Sequence, residues 1–132
     1  MLTVADILKK VNEDAEKTYS DPIERLQSNS EKALRYSEML YRVNRQKNKQ
    51  KIEVDRKYSE LYKSAKFDSH LLLKNKQDIE SMIDTDEEYT KMKNSLKDWE
   101  NTAQLLENLV DIYRQREASE RLIFKAKTGI GG

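Results

Sequence analysis

The sequence predicts an all-α protein of long helices, and three observations predict it. Turn-forming residues are almost absent: the only proline is Pro22, and all three glycines fall in TGIGG, from Thr128 to Gly132, so residues 1–128 lack the usual punctuation. Apolar residues recur in steps of three and four along most of the chain, the spacing of one helix face. Finally, the chain is 37% charged and 36% apolar, whereas a typical globular domain is roughly 25% charged. A lone chain of 132 residues with this composition buries a thin core, so long helices sharing a core between several copies fit it better.

The first helix is expected from about Val4 to Lys17. Thr3 is placed to cap it, and Val4, Ile7, Leu8, Val11 and Ala15 make one apolar face. Ser20 or Asp21 can cap the second helix, whose first turn accepts Pro22 because no N–H is needed there. That helix is long, running from Pro22 towards Lys66. Its apolar stripe reads Tyr36, Leu40, Val43, then Val54, Tyr58, Leu61 and Ala65. Between the two halves lies NRQKNKQK, residues 44–51, without a single apolar side chain. Eleven residues separate Val43 from Val54, about three helical turns, so the phase survives and an uninterrupted helix is expected. Two shorter helices with a flexible gap are the competing reading.

Residues 67–84 read as a connector with a short helix near its end. Within it, Leu71 to Leu73 and Ile79, Met82 and Ile83 suit a short strand or one to two helical turns. Thr85, with Glu88 three positions on, makes a capping box for a third helix over 85–128, and Asp86, Glu87 and Glu88 suit the positive end of its dipole. Along this helix Tyr89, Met92, Leu96, Trp99, Ala103, Leu106, Val110 and Tyr113 form a heptad seam. A second seam, Thr102, Leu105, Leu109 and Ile112, runs beside it. A face this wide meets two neighbours at once, which favours a higher-order bundle or ring over a two-stranded coil. The seam turns polar at Arg116, Glu117 and Glu120 and recovers at Leu122, Ile123 and Phe124. The expected organisation is a helical binding region over 1–66, the connector, an oligomerisation helix over 85–128 and a flexible tail over 129–132.

The net charge of +1 conceals segregation. Residues 1–40 hold 6 basic and 8 acidic groups, residues 41–66 hold 9 and 3, and residues 67–120 hold 7 and 13. One basic block of net +6 therefore lies between two acidic ones, a pattern that bears on partners and steering more than on fold. With no cysteine, disulfides, thiolate metal sites and cysteine nucleophiles are excluded. The single histidine, His70, lies in a polar connector, and no phosphate-cradling glycine loop is present, so no catalytic set can be assembled and no cofactor is expected. Asp84, Asp86 and Glu88 alternate like the start of a calcium loop. Tyr89 stands where that loop needs glycine and Ser95 where it needs glutamate, so helix capping explains the acids better. Charge interrupts the N-terminus within a few residues and no apolar run approaches the roughly 20 residues of a membrane span. The expectation is a soluble cytoplasmic protein.

The basic block is the strongest candidate site. Arg42, Arg45, Lys49, Ile52, Arg56, Ser59, Lys63 and Lys66 follow steps of three and four. At about 100° per residue this stripe lies nearly opposite the Val54 stripe, and it extends over about 36 Å. Lys47 and Lys51 are read beside it. Tyr41 and Tyr62 stand four residues before Arg45 and Lys66. A one-signed helix face with aromatic platforms is what sequence-tolerant single-strand binding uses, phosphates being neutralised while bases stack. The bland alternative is a solvated charged face. Trp99 and the methionines are core filler by their place in the stripes.

The core DIESMIDTDEEYTKMKNSLKDWENTAQLLENLV, from Asp78 to Val110, and the earlier YSEML and YKSAKFD at 36–40 and 62–68, resemble the UvsY family of phage recombination mediators. The likeness runs over about residues 34–129 as a pattern of order rather than a chemical signature, and the tail REASERLIFKAKTG departs from the family's more apolar, aromatic ending. The resemblance implies a non-catalytic protein that binds single-stranded DNA as a homo-oligomeric ring of six or seven subunits. It would help load a RecA-like recombinase onto DNA covered by the phage single-strand binding protein, in the cytoplasm of the infected host. The family's DNA-contacting basic residues fall here on Lys63 and Lys66. Its assembly surface falls on Tyr89, Met92, Leu96, Trp99, Leu105, Leu106, Leu109, Val110, Ile112, Tyr113, Ile123 and Phe124. The alternative is a non-catalytic coiled-coil adaptor or phage assembly chaperone or scaffold.

Overall fold

The structure, a computed structural model, describes residues 2–16, 21–67 and 75–128. The described residues form four helices: α1 (Val4–Glu16), α2 (Pro22–Phe67), α3 (Lys76–Asp84) and α4 (Glu87–Thr128). No strand occurs among the described residues, and the protein is all-α. The expectations for His70, for Leu71 to Leu73 and for the tail at 129–132 lie outside the described residues.

The helix starts show how local sequence sets the elements. Thr3 Oγ1 accepts from the Asp6 amide at 3.1 Å, while Asp6 Oδ2 accepts from the Thr3 amide at 3.2 Å, a reciprocal box that satisfies two otherwise orphaned donors. The Thr3 hydrogen bonds also hold the Asp6 carboxyl below its ordinary range. Asp21 caps α2, its Oδ1 accepting from the Ile23 amide at 3.0 Å. Asn75 caps α3 through the Asp78 amide at 2.8 Å. At α4 the cap is Asp86, not Thr85: Asp86 Oδ1 accepts from the Tyr89 amide at 2.8 Å. Thr85 instead closes α3, and its hydroxyl donates to the Met82 carbonyl at 2.7 Å. With α3 ending only at Asp84, Thr85 is taken up by that terminus and the next side-chain acceptor starts α4.

The helices divide between two compact units, Met1–Val43 with Thr102–Gly132, and Asn44–Asn101. In the first, Ile7, Ala33, Tyr36, Val43, Ala103, Leu106, Val110 and Tyr113 are buried. The rings of Tyr36 and Tyr113 stack with centroids 5.6 Å apart, an offset aromatic pair. On α1 the buried line differs from the expected face. Leu8 and Ala15 are exposed, while Val4, Ile7, Val11 and Asp14 line up in steps of three and four. Asp14, only 2% exposed, accepts from the Tyr36 hydroxyl and from Arg35, and Lys10 stands nearby at 3.8 Å. Burial pushes its carboxyl up, but the Tyr36 bond and the Arg35 and Lys10 charges outweigh that and hold it below the usual carboxylate range. The same burial, with the Asp14 charge, drives the Tyr36 phenol well up.

The second unit is built on the C-terminal part of α2, α3 and the start of α4. Val54, Ala65, Ile79, Ile83 and Tyr89 form its buried cluster, with Tyr58, Leu61, Tyr62, Met82, Met92 and Leu96 packed against it. α3 is the short helix expected near the connector's end. It folds because Ile79 and Ile83, one turn apart, both reach this cluster.

Candidate nucleic-acid interface

Helix α2 passes through NRQKNKQK without a break, so the phase argument holds and the flexible gap does not occur. The stretch is not solvated all round, however. Asn44, Gln46, Lys47 and Gln50 are half-buried, whereas Arg45, Asn48, Lys49 and Lys51 are exposed. Lys47 and Gln50 occupy the steps of four and three that carry the apolar stripe from Val43 to Val54. Gln50 lines a hollow of about 210 Å³ with Glu53, Val54, Lys91, Met92 and Ser95. Lys47 therefore does not lie beside the basic stripe. Its spacing from Val54 puts it on the inward face.

The outward face of the second unit keeps the pattern read from sequence. Arg45, Lys49, Ile52, Arg56, Ser59, Lys63 and Lys66 are all exposed, while Val54 and Ala65 opposite them are buried. These five cations lie along about 32 Å of helix at 1.5 Å per residue. Lys51 is exposed on the flank of the stripe. Tyr41 and Arg42 belong to the other unit; both are exposed, Tyr41 by 65%. Lys57 turns away from the stripe and pairs with Glu88 at 3.0 Å. The hydrogen bond it donates to Glu88 raises its pKa.

Tyr62 is not the fully open platform the sequence suggests. It is half-buried, and its ring stacks on Tyr58 with centroids 6.2 Å apart. Tyr58 in turn faces Tyr89 at 6.0 Å and donates to Glu80 at 3.3 Å.

The two seams of α4 differ in how far they are covered. Every member of the first, Tyr89, Met92, Leu96, Trp99, Ala103, Leu106, Val110 and Tyr113, is buried or half-buried within the single chain. Its polar continuation finds partners inside the chain, though not for every atom: Arg25 Nε donates to Glu120 Oε1 at 3.1 Å while the buried Glu120 Oε2 has no hydrogen-bond partner, Arg121 donates to Glu117, and Arg116 lies over the Tyr113 ring. Seven residues read as assembly contacts, Tyr89, Met92, Leu96, Trp99, Leu106, Val110 and Tyr113, thus pack within their own chain, because an intrachain helix reaches the seam first. The second seam starts buried at Thr102 and opens towards its C-terminal end. Leu105 and Leu109 are half-buried, Ile112 is 41% and Ile123 42% exposed, and Leu122 beside it is 69% exposed. Phe124 is half-buried.

Sequence reasoning missed Asp14 and Glu80. Asp14 sits three residues beyond Val11 on an apolar line, a position where an acid signals a partner. Glu80 carries no such signal. Among the described residues, no three metal-ligating side chains come together, and no helix is long and apolar enough to cross a membrane. No family model, curated protein or solved structure matches this chain.

Proposed function

We propose that this protein is a homo-oligomeric recombination mediator without catalytic activity. It binds single-stranded DNA along the outer face of α2 and helps a RecA-like phage recombinase load onto DNA covered by the phage single-strand binding protein, in the cytoplasm of the infected host. One observation supports the binding step above all: Arg45, Lys49, Arg56, Lys63 and Lys66 share an exposed helix face whose reverse side is packed core. Such a face tracks a phosphate backbone without reading bases. The mediator role and a ring of six or seven copies come from the UvsY resemblance. The open second seam, Leu105, Leu109, Ile112 and Ile123, is the assembly surface in this reading. Multiplying one modest basic face around a ring raises avidity without new contacts.

A second reading is favoured by the same open seam: an adaptor or assembly scaffold whose apolar helix face is its whole function. Titration of labelled single-stranded DNA at low and moderate salt, with mass measured in solution, separates the two. A mediator retains tight binding at moderate salt as an oligomer. Binding that vanishes there while the oligomer persists rejects the mediator and leaves the adaptor.

A further inference from the structure

Phosphate tracking does not account for the cleft at the C-terminal end of α2. This cleft, about 360 Å³ in volume, is lined by Tyr58, Ser59, Tyr62, Lys63, Lys76 and Glu80. Its composition is unlike that of a core defect, since two stacked phenol rings meet two lysines and a carboxylate. Tyr58 is held in place by its bond to Glu80 and by Tyr89. Burial, then Glu80, raises its phenol pKa. Lys76 Nζ stands 3.8 Å from the same Glu80 oxygen, and its side chain is 77% exposed. Lys63 belongs both to the cleft wall and to the outward basic face, so a strand following that face arrives at the cleft.

We propose that this cleft is a base-binding subsite: one unstacked nucleobase of a single strand lies against the Tyr62 ring, with its flanking phosphates held by Lys63 and Lys76. The proposal rests on the single-strand reading above and deepens it. The volume lies near the small end of ligand pockets, which suits one base and excludes a base pair, so duplex DNA is not accommodated. Glu80 orients the nucleotide. Its carboxylate repels a phosphate from the interior and accepts an N–H from a base edge, so the strand enters base first. Every base has a π-face, so stacking on Tyr62 is sequence-tolerant, with Glu80 biasing it towards bases that present N–H donors.

The test uses the full chain and short single strands carrying one 2-aminopurine, together with a strand of equal length in which abasic spacers replace the bases. The 2-aminopurine fluorescence is expected to fall on binding. Tyr62→Ala is expected to weaken binding of the base-bearing strand about 5- to 150-fold, the range that stacking on one ring produces, and to leave the abasic strand unaffected. Tyr62→Phe should restore wild-type affinity. Because Tyr62 also packs against the core, Lys76→Ala, at an exposed position, serves as a second variant and should weaken both strands to a similar degree. Wild-type binding without any fluorescence change, with base-bearing and abasic strands bound equally, overturns the subsite and leaves phosphate tracking standing. No binding of either strand overturns both.

Discussion

Replacing Lys63 and Lys66 together by alanine removes two of the five cations on the outward face between residues 45 and 66, and both are exposed. For single strands the slope of log K against log salt is about −0.7 per phosphate neutralised. Five contacts give a slope of about −3.5 per chain crossed, and three give about −2.1. Between 50 and 200 mM salt the wild type should therefore lose about 130-fold in affinity and the variant about 18-fold. If a strand crosses several copies, both slopes grow but their ratio stays near three to five, so the test does not depend on subunit number. Anisotropy of a labelled oligothymidylate at four or five salt concentrations measures the slopes, and light scattering checks that the mass is unchanged. Equal slopes for variant and wild type, at equal mass, refute the assignment of this face to phosphate contact.

Three further outcomes follow from the packing. Ile112→Asp combined with Ile123→Asp places charge on the open seam and should shift the solution mass towards a monomer while helical circular dichroism is kept; an unchanged mass moves the assembly surface elsewhere. Leu106→Ala acts inside the chain, where Leu106 is fully buried, and should cost about 2–5 kcal/mol in denaturant unfolding. Asp14→Asn should cost about 1.5–3 kcal/mol near pH 6, the range for charge-assisted hydrogen bonds. Because the Asp14 carboxyl is depressed in the fold, its contribution is complete above the ordinary carboxylate range and is lost as pH falls through the folded value. Wild type and variant should therefore converge once the pH has fallen through that lowered value, and a difference that persists there means the asparagine fails for steric reasons.

Much of the fold was legible in the sequence because its main signals are periodic. The matching phase of Val43 and Val54 was enough to carry α2 across a polar stretch, and the outward position of Arg45, Lys49, Arg56, Lys63 and Lys66 followed from the same arithmetic. What periodicity does not carry is the identity of the partner. The two seams of α4 repeat alike, and nothing in their spacing says that Leu106 meets its own chain while Ile112 is left open. The choice between Thr85 and Asp86 depended on where α3 stops, which neighbouring residues alone leave open. Tyr62 was read as a free platform because its packing against Tyr58 and the cluster around Ile79 is tertiary. Lys47 was misplaced for a simpler reason: a cation on an apolar line looks like a gap in the line until the helix is seen to be uninterrupted.

The half-buried turn at Lys47 and Gln50 has a consequence for how α2 resists slippage. A uniform apolar stripe would let the helix slide by seven residues and find an equivalent set of contacts. Here such a slide would carry Lys47 into the place of Val54, among Ile79, Ile83 and Tyr89. An ammonium stranded there without a partner costs several kcal/mol. The polar turn thus works as a stop on an otherwise smooth rail, penalising the displaced pairing.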